Sequence, residues 1–244
     1  MLVTSAVSQM LTGCQGSAYR IARHAARNGL LLALLSGFAA VACQAQADAK
    51  TSVRGRELFE TCAECHGNAG QGNPDIGAPN IAGMPAWYIE TELRKFRGGI
   101  RGAQFDDIEG MRMRAMALSL PTDEDVPVIA QYVASLAPVR HAPVLGGDPN
   151  LGKRRYAVCG GCHGSDGRGN STVKAPRIAG LDDWYLVTEL KKFKGNVRGA
   201  DPRDEEGSTM APMAKTLANE KMMRDVAAYV STLKPRANSE TQSQ

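Results

Sequence analysis

Two cysteines spaced by two residues and followed at once by a histidine occur twice in this sequence, as Cys62, Cys65, His66 and as Cys159, Cys162, His163. Two thiols at that spacing reach the two vinyl groups on one edge of a porphyrin and form thioethers. The adjacent imidazole then lies beneath the iron as its proximal ligand. The pattern reads as the attachment of two haem c groups, with His66 and His163 on iron and the four cysteines holding the macrocycles. A zinc site would need its cysteine pairs about 12 to 20 residues apart, whereas 93 residues separate Cys65 from Cys159. A thioredoxin-like pair needs a βαβ setting, which the sequence does not offer. Plain disulfides suit an oxidising compartment but leave the histidine after each pair without a role.

The sixth ligand decides between electron transfer and chemistry on a small molecule. The chain has four histidines, and two are already proximal ligands. His24 falls in an N-terminal signal-like stretch and His141 in a linker, so bis-histidine coordination of both haems is excluded by count. A Met-x-x-Met pair occurs twice, at Met113/Met116 and Met210/Met213. A thioether is a soft, neutral ligand that favours ferrous iron. Spacing alone does not say which methionine of each pair binds, and filling a core is the commoner use of the residue.

The elements that must position these groups are themselves duplicated. An offset of 97 residues, held without a gap, carries the first cysteine motif onto the second, Pro79 onto Pro176 and Trp87-Tyr88 onto Trp184-Tyr185. The same offset carries Thr91-Glu92-Leu93 onto Thr188-Glu189-Leu190, Phe96 onto Phe193, and each methionine pair onto the other. Register kept that long marks a tandem duplication of one small domain. Each copy reads as helical. Glu57, Leu58 and Phe59 lead into the first cysteine motif, with Gly55 allowing close packing one turn earlier. Trp87 to Phe96 has a 3.6-residue apolar rhythm. Thr122-Asp123-Glu124-Asp125 has the acidic character of a helix start, followed by the apolar face Val126, Ile129, Ala130, Val133 and Leu136. The expectation is an all-α fold of two haem domains, over 48–137 and 151–236. A linker rich in Pro and Gly at 138–150 joins them, and a polar tail follows at 237–244.

The whole-chain numbers frame this. The 244 residues suffice for two modest domains, and the 5% aromatic share is low, which a flat apolar haem can make good as core volume. A net charge of +4 is too mild to argue for nucleic acid. It is unevenly spread, with a net of −3 over residues 51–140 and +4 over 141–244, a dipole that matters for docking. At the N-terminus, Arg20, Arg23 and Arg27 precede the apolar run Leu30 to Val41, and Ala45-Gln46-Ala47 supplies the small residues a signal peptidase needs. That run of about a dozen residues is short of the roughly 20 that span a bilayer. Cleavage after Ala47 and a soluble periplasmic product are expected, with an uncleaved anchor or lipidation at Cys14 or Cys43 as minor alternatives.

In the repeated C-x-x-C-H-G, the downstream Ala-Pro…Ala-Gly, the aromatic helix, Phe-(Lys/Arg)-x-Gly and Met-x-x-Met-Ala, residues 52–234 resemble the dihaem cytochromes c4, tandem class I c-type domains. The resemblance implies that the first methionine of each pair is the axial ligand, which gives Met113 and Met210. It also implies that the loop proline carbonyl, of Pro79 and of Pro176, holds the proximal histidine. The function it implies is single-electron transfer, not catalysis, from a quinol-oxidising complex to a terminal oxidase or other redox protein, with association at the membrane surface an option. No nucleic acid and no small-molecule substrate are expected. The alternatives are a cytochrome subunit of a periplasmic dehydrogenase and, less favoured for want of spare acid/base groups, a dihaem peroxidase. Arg97, Arg101, Lys194 and Arg198 recur at equal offsets, either to pair with haem propionates or to form a solvated helix face.

Overall fold

The structure is a computed structural model that describes residues 51–235. The expected signal peptide (1–47), Cys14, Cys43 and the tail from 237 lie outside the described residues. Eight helices account for the described fold: α1 (51–66), α2 (Ala86–Arg97), α3 (Ile108–Leu118) and α4 (Asp125–Ser135) in the first repeat, then α5 (Pro149–His163), α6 (Asp183–Lys194), α7 (Glu205–Lys215) and α8 (Glu220–Val230) in the second. No strand occurs among the described residues beyond two isolated bridges, Asn73 with Ala78 and Asn170 with Ala175. None of the described helices is long and apolar enough to cross a membrane.

Local chemistry explains where α4 starts. α4 begins where Thr122 and Asp125 satisfy each other reciprocally: the Thr122 Oγ1 accepts from the Asp125 N–H at 3.2 Å, and the Asp125 Oδ2 accepts from the Thr122 N–H at 3.2 Å. This is a capping box, in which two orphan donors of the first turn find partners. The expected apolar face follows, with Val126, Ile129, Ala130 and Val133 all buried. Each such side chain contributes about 1.5–3 kcal/mol of burial, less for alanine. α1 lies against α4 so closely that a Cβ on Gly55 would stand 2.6 Å from the Tyr132 Cβ, beside the contact of the Phe59 and Tyr132 rings at 5.3 Å. The second repeat repeats the arrangement with the rings of Tyr156 and Tyr229 at 5.2 Å.

The linker is shorter and more firmly held than its composition predicts. α5 starts at Pro149, capped by the Asp148 side chain, so the helix begins inside the stretch read as linker. The remainder is pinned by hydrogen bonds to both repeats. Val139 O accepts from Asn80 Nδ2 at 2.8 Å, His141 Nδ1 meets Asp182 Oδ1 at 2.7 Å, and Asp183 Oδ2 accepts from the Val144 and Leu145 N–H groups.

From Arg54 onward the chain is one unit containing both repeats. At its centre the two repeats meet through buried charges that obey the 97-residue offset. Arg101 donates to its own repeat's Glu92 and, at 3.1 Å, to Glu189 of the other; Arg198 donates to Glu189 and, at 2.9 Å, to Glu92. Around this core, Lys95 reaches Asp204 at 2.6 Å and Glu206 at 2.8 Å, while Lys192 reaches Asp107 at 2.6 Å and Glu109 at 3.1 Å. Residue i meets j and its copy meets i's copy, the pattern of an isologous interface. The expectation of a solvated face at Arg101 and Arg198 is therefore corrected. Both are 6% exposed, and each lies over a phenylalanine ring, Phe96 and Phe193. Burial alone would raise the Glu92 carboxyl, but Arg198 and Arg101 outweigh it and hold the group at about 2; the same balance lowers Glu189.

Two results are expected. Glu92→Gln leaves two buried guanidinium groups short of a carboxylate and costs about 3–5 kcal/mol in denaturant unfolding. Because a depressed carboxylate stabilises the fold above its unfolded value and loses that contribution as pH falls through its folded one, the stability should drop between about pH 4.5 and about pH 2. A denaturation midpoint that stays flat across that window would contradict this.

Candidate functional site

Each cysteine motif occupies the last turn of a helix that the core holds in place. α1 ends at His66 and α5 at His163, and both imidazoles are buried. The chain then turns through a tight loop whose path is nearly identical in the two repeats. The Gly72 N–H donates to His66 O at 2.7 Å and the Gly169 N–H to His163 O at 2.8 Å. A short 3-10 turn follows, Pro74–Ile76 or Ser171–Val173, capped by the side chain of Asn73 or Asn170. This returns Pro79 O to 2.8 Å from His66 Nδ1, and Pro176 O to 2.8 Å from His163 Nδ1. Both glycines need their residue type: at φ +85° and +84°, a Cβ would sit 2.5 Å from Asn80 N and from the Pro176 carbonyl carbon.

A carbonyl only accepts, so the proton lies on Nδ1 of each histidine and the lone pair on Nε2 is left for a metal. Burial pushes both imidazoles below their ordinary value, with the proline carbonyl opposing it, so the neutral ligating form is favoured. Cys62 and Cys159 are half-buried, and Cys65 and Cys162 are exposed. Burial, with the neighbouring Cys65, pushes the Cys62 thiol up to about 11, and burial raises Cys159 as well.

A largely apolar cavity of about 470 Å³ opens beside the second motif, lined by Cys159, Cys162, His163, Pro176, Met210 and Met213, and it extends across the repeat boundary to Trp87 and Tyr88. In the first repeat a cavity of about 150 Å³ lies beside Cys62, between Leu58, Met116 and Leu120. α3 carries Met113 and Met116, both half-buried; α7 carries Met210, packed on the second core, and Met213, 38% exposed. A soft thioether, an imidazole with Nε2 free, two adjacent thiols and an apolar slot form a donor set that fits a covalently held haem.

Of the recurring basic residues, Arg97 and Lys194 turn out to be helix-end caps. Arg97 donates to Ala117 O at 2.7 Å and Leu120 O at 3.2 Å, and Lys194 to Leu217 O and Ala218 O, satisfying carbonyls at the ends of α3 and α7. The acids of the interface, Glu92 and Glu189, belong to no motif. The signal was present: Glu92 and Glu189 sit within the apolar rhythm of α2 and α6, where a lone charge demands a partner.

The sequence profile of the cytochrome c family matches residues 52–137 and again 150–234. Cytochrome c4 of Thiocapsa roseopersicina is 31% identical over 153 residues, 58% of this chain and 73% of the relative. The CcoP subunit of the cbb3-type cytochrome c oxidase of Rubrivivax gelatinosus is 35% identical over 135 residues, 54% of this chain, but the chain spans only 40% of that protein. The solved structure of Acidithiobacillus ferrooxidans cytochrome c4 superposes with a TM-score of 0.61 at 26% identity, covering 72% of this chain and 99% of that one. The chain belongs to the cytochrome c family and, with its two tandem domains, to the dihaem cytochromes c4. Its cofactors are accordingly two covalently bound haem c groups, one at each cysteine motif.

The loop makes its own prediction. Gly146→Ala, at a left-handed position with no atom within 4 Å, should cost only the strain of about 1–2 kcal/mol for a side chain in that region. Gly169→Ala adds a collision with the peptide that holds His163, so it should cost more in thermal unfolding and perturb the absorption of the second haem alone.

Proposed function

We propose that this dihaem cytochrome is a single-electron carrier with both irons closed to substrate, ligated by His66 and Met113 in the first repeat and by His163 and Met210 in the second. The observation that carries the reading is the duplicated pairing of a carbonyl-locked histidine with a Met-x-x-Met helix. Met210 is favoured over Met213 because it is the more buried and packs on the core. Met113 is taken over Met116 because it is the counterpart of Met210 at the 97-residue offset. Pro79 and Pro176 act through the histidines, fixing ring orientation and tautomer. The covalent haem supplies the one-electron couple. The chain's part is to hold the ligands rigid, keep water from the iron and bring the two repeats edge to edge.

The site of action is the periplasm, with the N-terminal segment as a cleavable export signal. The donor is a quinol-oxidising complex and the acceptor a terminal oxidase or another redox protein, met at or near the membrane surface. The charge asymmetry of the halves supports distinct docking ends. The paired interface cluster of each repeat carries the same net charge, one negative, so that cluster does not create the difference between the halves. Steering by such charge weakens with salt, so electron-transfer rates to a partner should fall as ionic strength rises.

The absorption spectrum tests the ligation. The oxidised protein should show a weak thioether-to-iron band toward the red, and the reduced protein should not bind carbon monoxide. Met210→Ala should remove the part of that band due to the second haem and lower its potential, whereas Met213→Ala should leave both unchanged. The reverse result would move the ligand to Met213.

A further inference from the structure

Four cations are buried among the described residues, Lys95, Arg101, Arg177 and Arg198. Three are met by carboxylates of the interface cluster. Arg177, 6% exposed, lies in no ion pair. Its guanidinium donates to Ala179 O at 2.7 Å, to Ala82 O at 3.2 Å and to the Met84 sulfur at 3.4 Å, all neutral acceptors, and its buried Nε has no partner. The Nε atoms of Arg101 and Arg198 are also unpartnered, but those side chains have their acids. The nearby carboxylates are committed elsewhere, Asp182 to His141 and the Asn80 N–H, Asp183 to Val144 and Leu145. A buried, uncompensated charge is unfavourable unless something supplies the opposite one. Consistent with that, burial alone pushes Arg177 down to about 10.

Arg177 lines the cavity of the second cysteine motif and directly follows Pro176, whose carbonyl holds His163. A haem tethered through its vinyl edge carries two propionate carboxylates on the opposite edge. We infer that Arg177 is the docking cation for a propionate of the haem bound by Cys159 and Cys162, a site the first repeat does not have. The equivalent position there is Asn80, neutral and already satisfied by Val139 O, with its own Oδ1 accepting from the Ala82 N–H. The ring of paired charges repeats at the 97-residue offset, but beside the haem cavity the second repeat has a buried cation where the first has a neutral residue. A fixed cation near the iron favours its ferrous state, so Arg177 biases a single electron toward the second haem. The inference rests on the electron-carrier reading only in that each repeat holds one one-electron haem.

The test uses the two-haem protein and its resolved reduction potentials. Arg177→Asn should lower the potential of the second haem and leave the first in place, reducing the electron's preference for the second repeat about tenfold, equivalent to about 59 mV for a one-electron couple. Arg177→Lys should restore most of the shift, which a purely structural role would not. The reciprocal Asn80→Arg should raise the first haem's potential, and it decides the matter if Arg177→Asn does not fold. Added inorganic phosphate at constant ionic strength should leave the wild-type potentials unmoved. Potentials unchanged or shifted equally in both haems would overturn the inference, as would a phosphate-dependent shift abolished by Arg177→Asn, which gives the guanidinium to a diffusible anion. Absence of the thioether band in the wild type would refute the proposed ligation on its own, and the variant potentials would still decide the role of Arg177.

Discussion

A charge taken out of water must find its opposite, and the centre of this molecule is built on that constraint. Glu92, Glu189, Arg101 and Arg198 lie together between the repeats, each arginine touching both carboxylates. Buried ion pairs add little net stability against an apolar substitute, so the significance of this cluster is geometric. Every cation needs an acid from the opposite repeat, and a rotated or slipped pairing would strand charges in a low-dielectric interior. The outer pairs, Lys95 with Asp204 and Lys192 with Asp107, extend the same requirement. The relative position of the two haem cavities follows from it.

Within each repeat a second constraint acts on a shorter scale. The proximal histidine must present Nε2 and hide Nδ1, and a carbonyl is the acceptor that enforces this without adding charge. Delivering that carbonyl takes a loop of about one dozen residues from His66 to Pro79, folded by a left-handed glycine and a side-chain cap. The duplication of the loop to within 0.1 Å at the Gly72 and Gly169 amides shows how little latitude the site allows. The interface acts differently, for it tolerates asymmetry, and one of its asymmetric residues is a cation beside a cavity.

Much of this was legible in the chain. The cysteine motifs, the offset of 97, the helical rhythm of 87–96 and the apolar face from Val126 all depend on neighbours in sequence, and the structure returns them with boundaries shifted by a residue or two. The Pro79 and Pro176 carbonyls could be named only through resemblance, because a contact across 13 residues of loop has no periodic signature. The linker looked loose because proline and glycine set local conformation; its anchoring depends on side chains far along the chain, such as Asp182 and Asp183.

The sequence by itself determined what chemistry the protein can perform and how many times, since thioether attachment and proximal ligation are written in adjacent residues. Tertiary structure decided which charges are partners. Arg101 and Arg198 looked like solvent-facing or haem-facing cations, and Arg97 and Lys194 like their equals. Only the packing of one repeat on the other made Arg101 a buried bridge, Arg97 a helix cap and Arg177 a cation still awaiting its acid. Burial is a property of the assembled fold, and it is burial that turns a common charged residue into one whose partner matters.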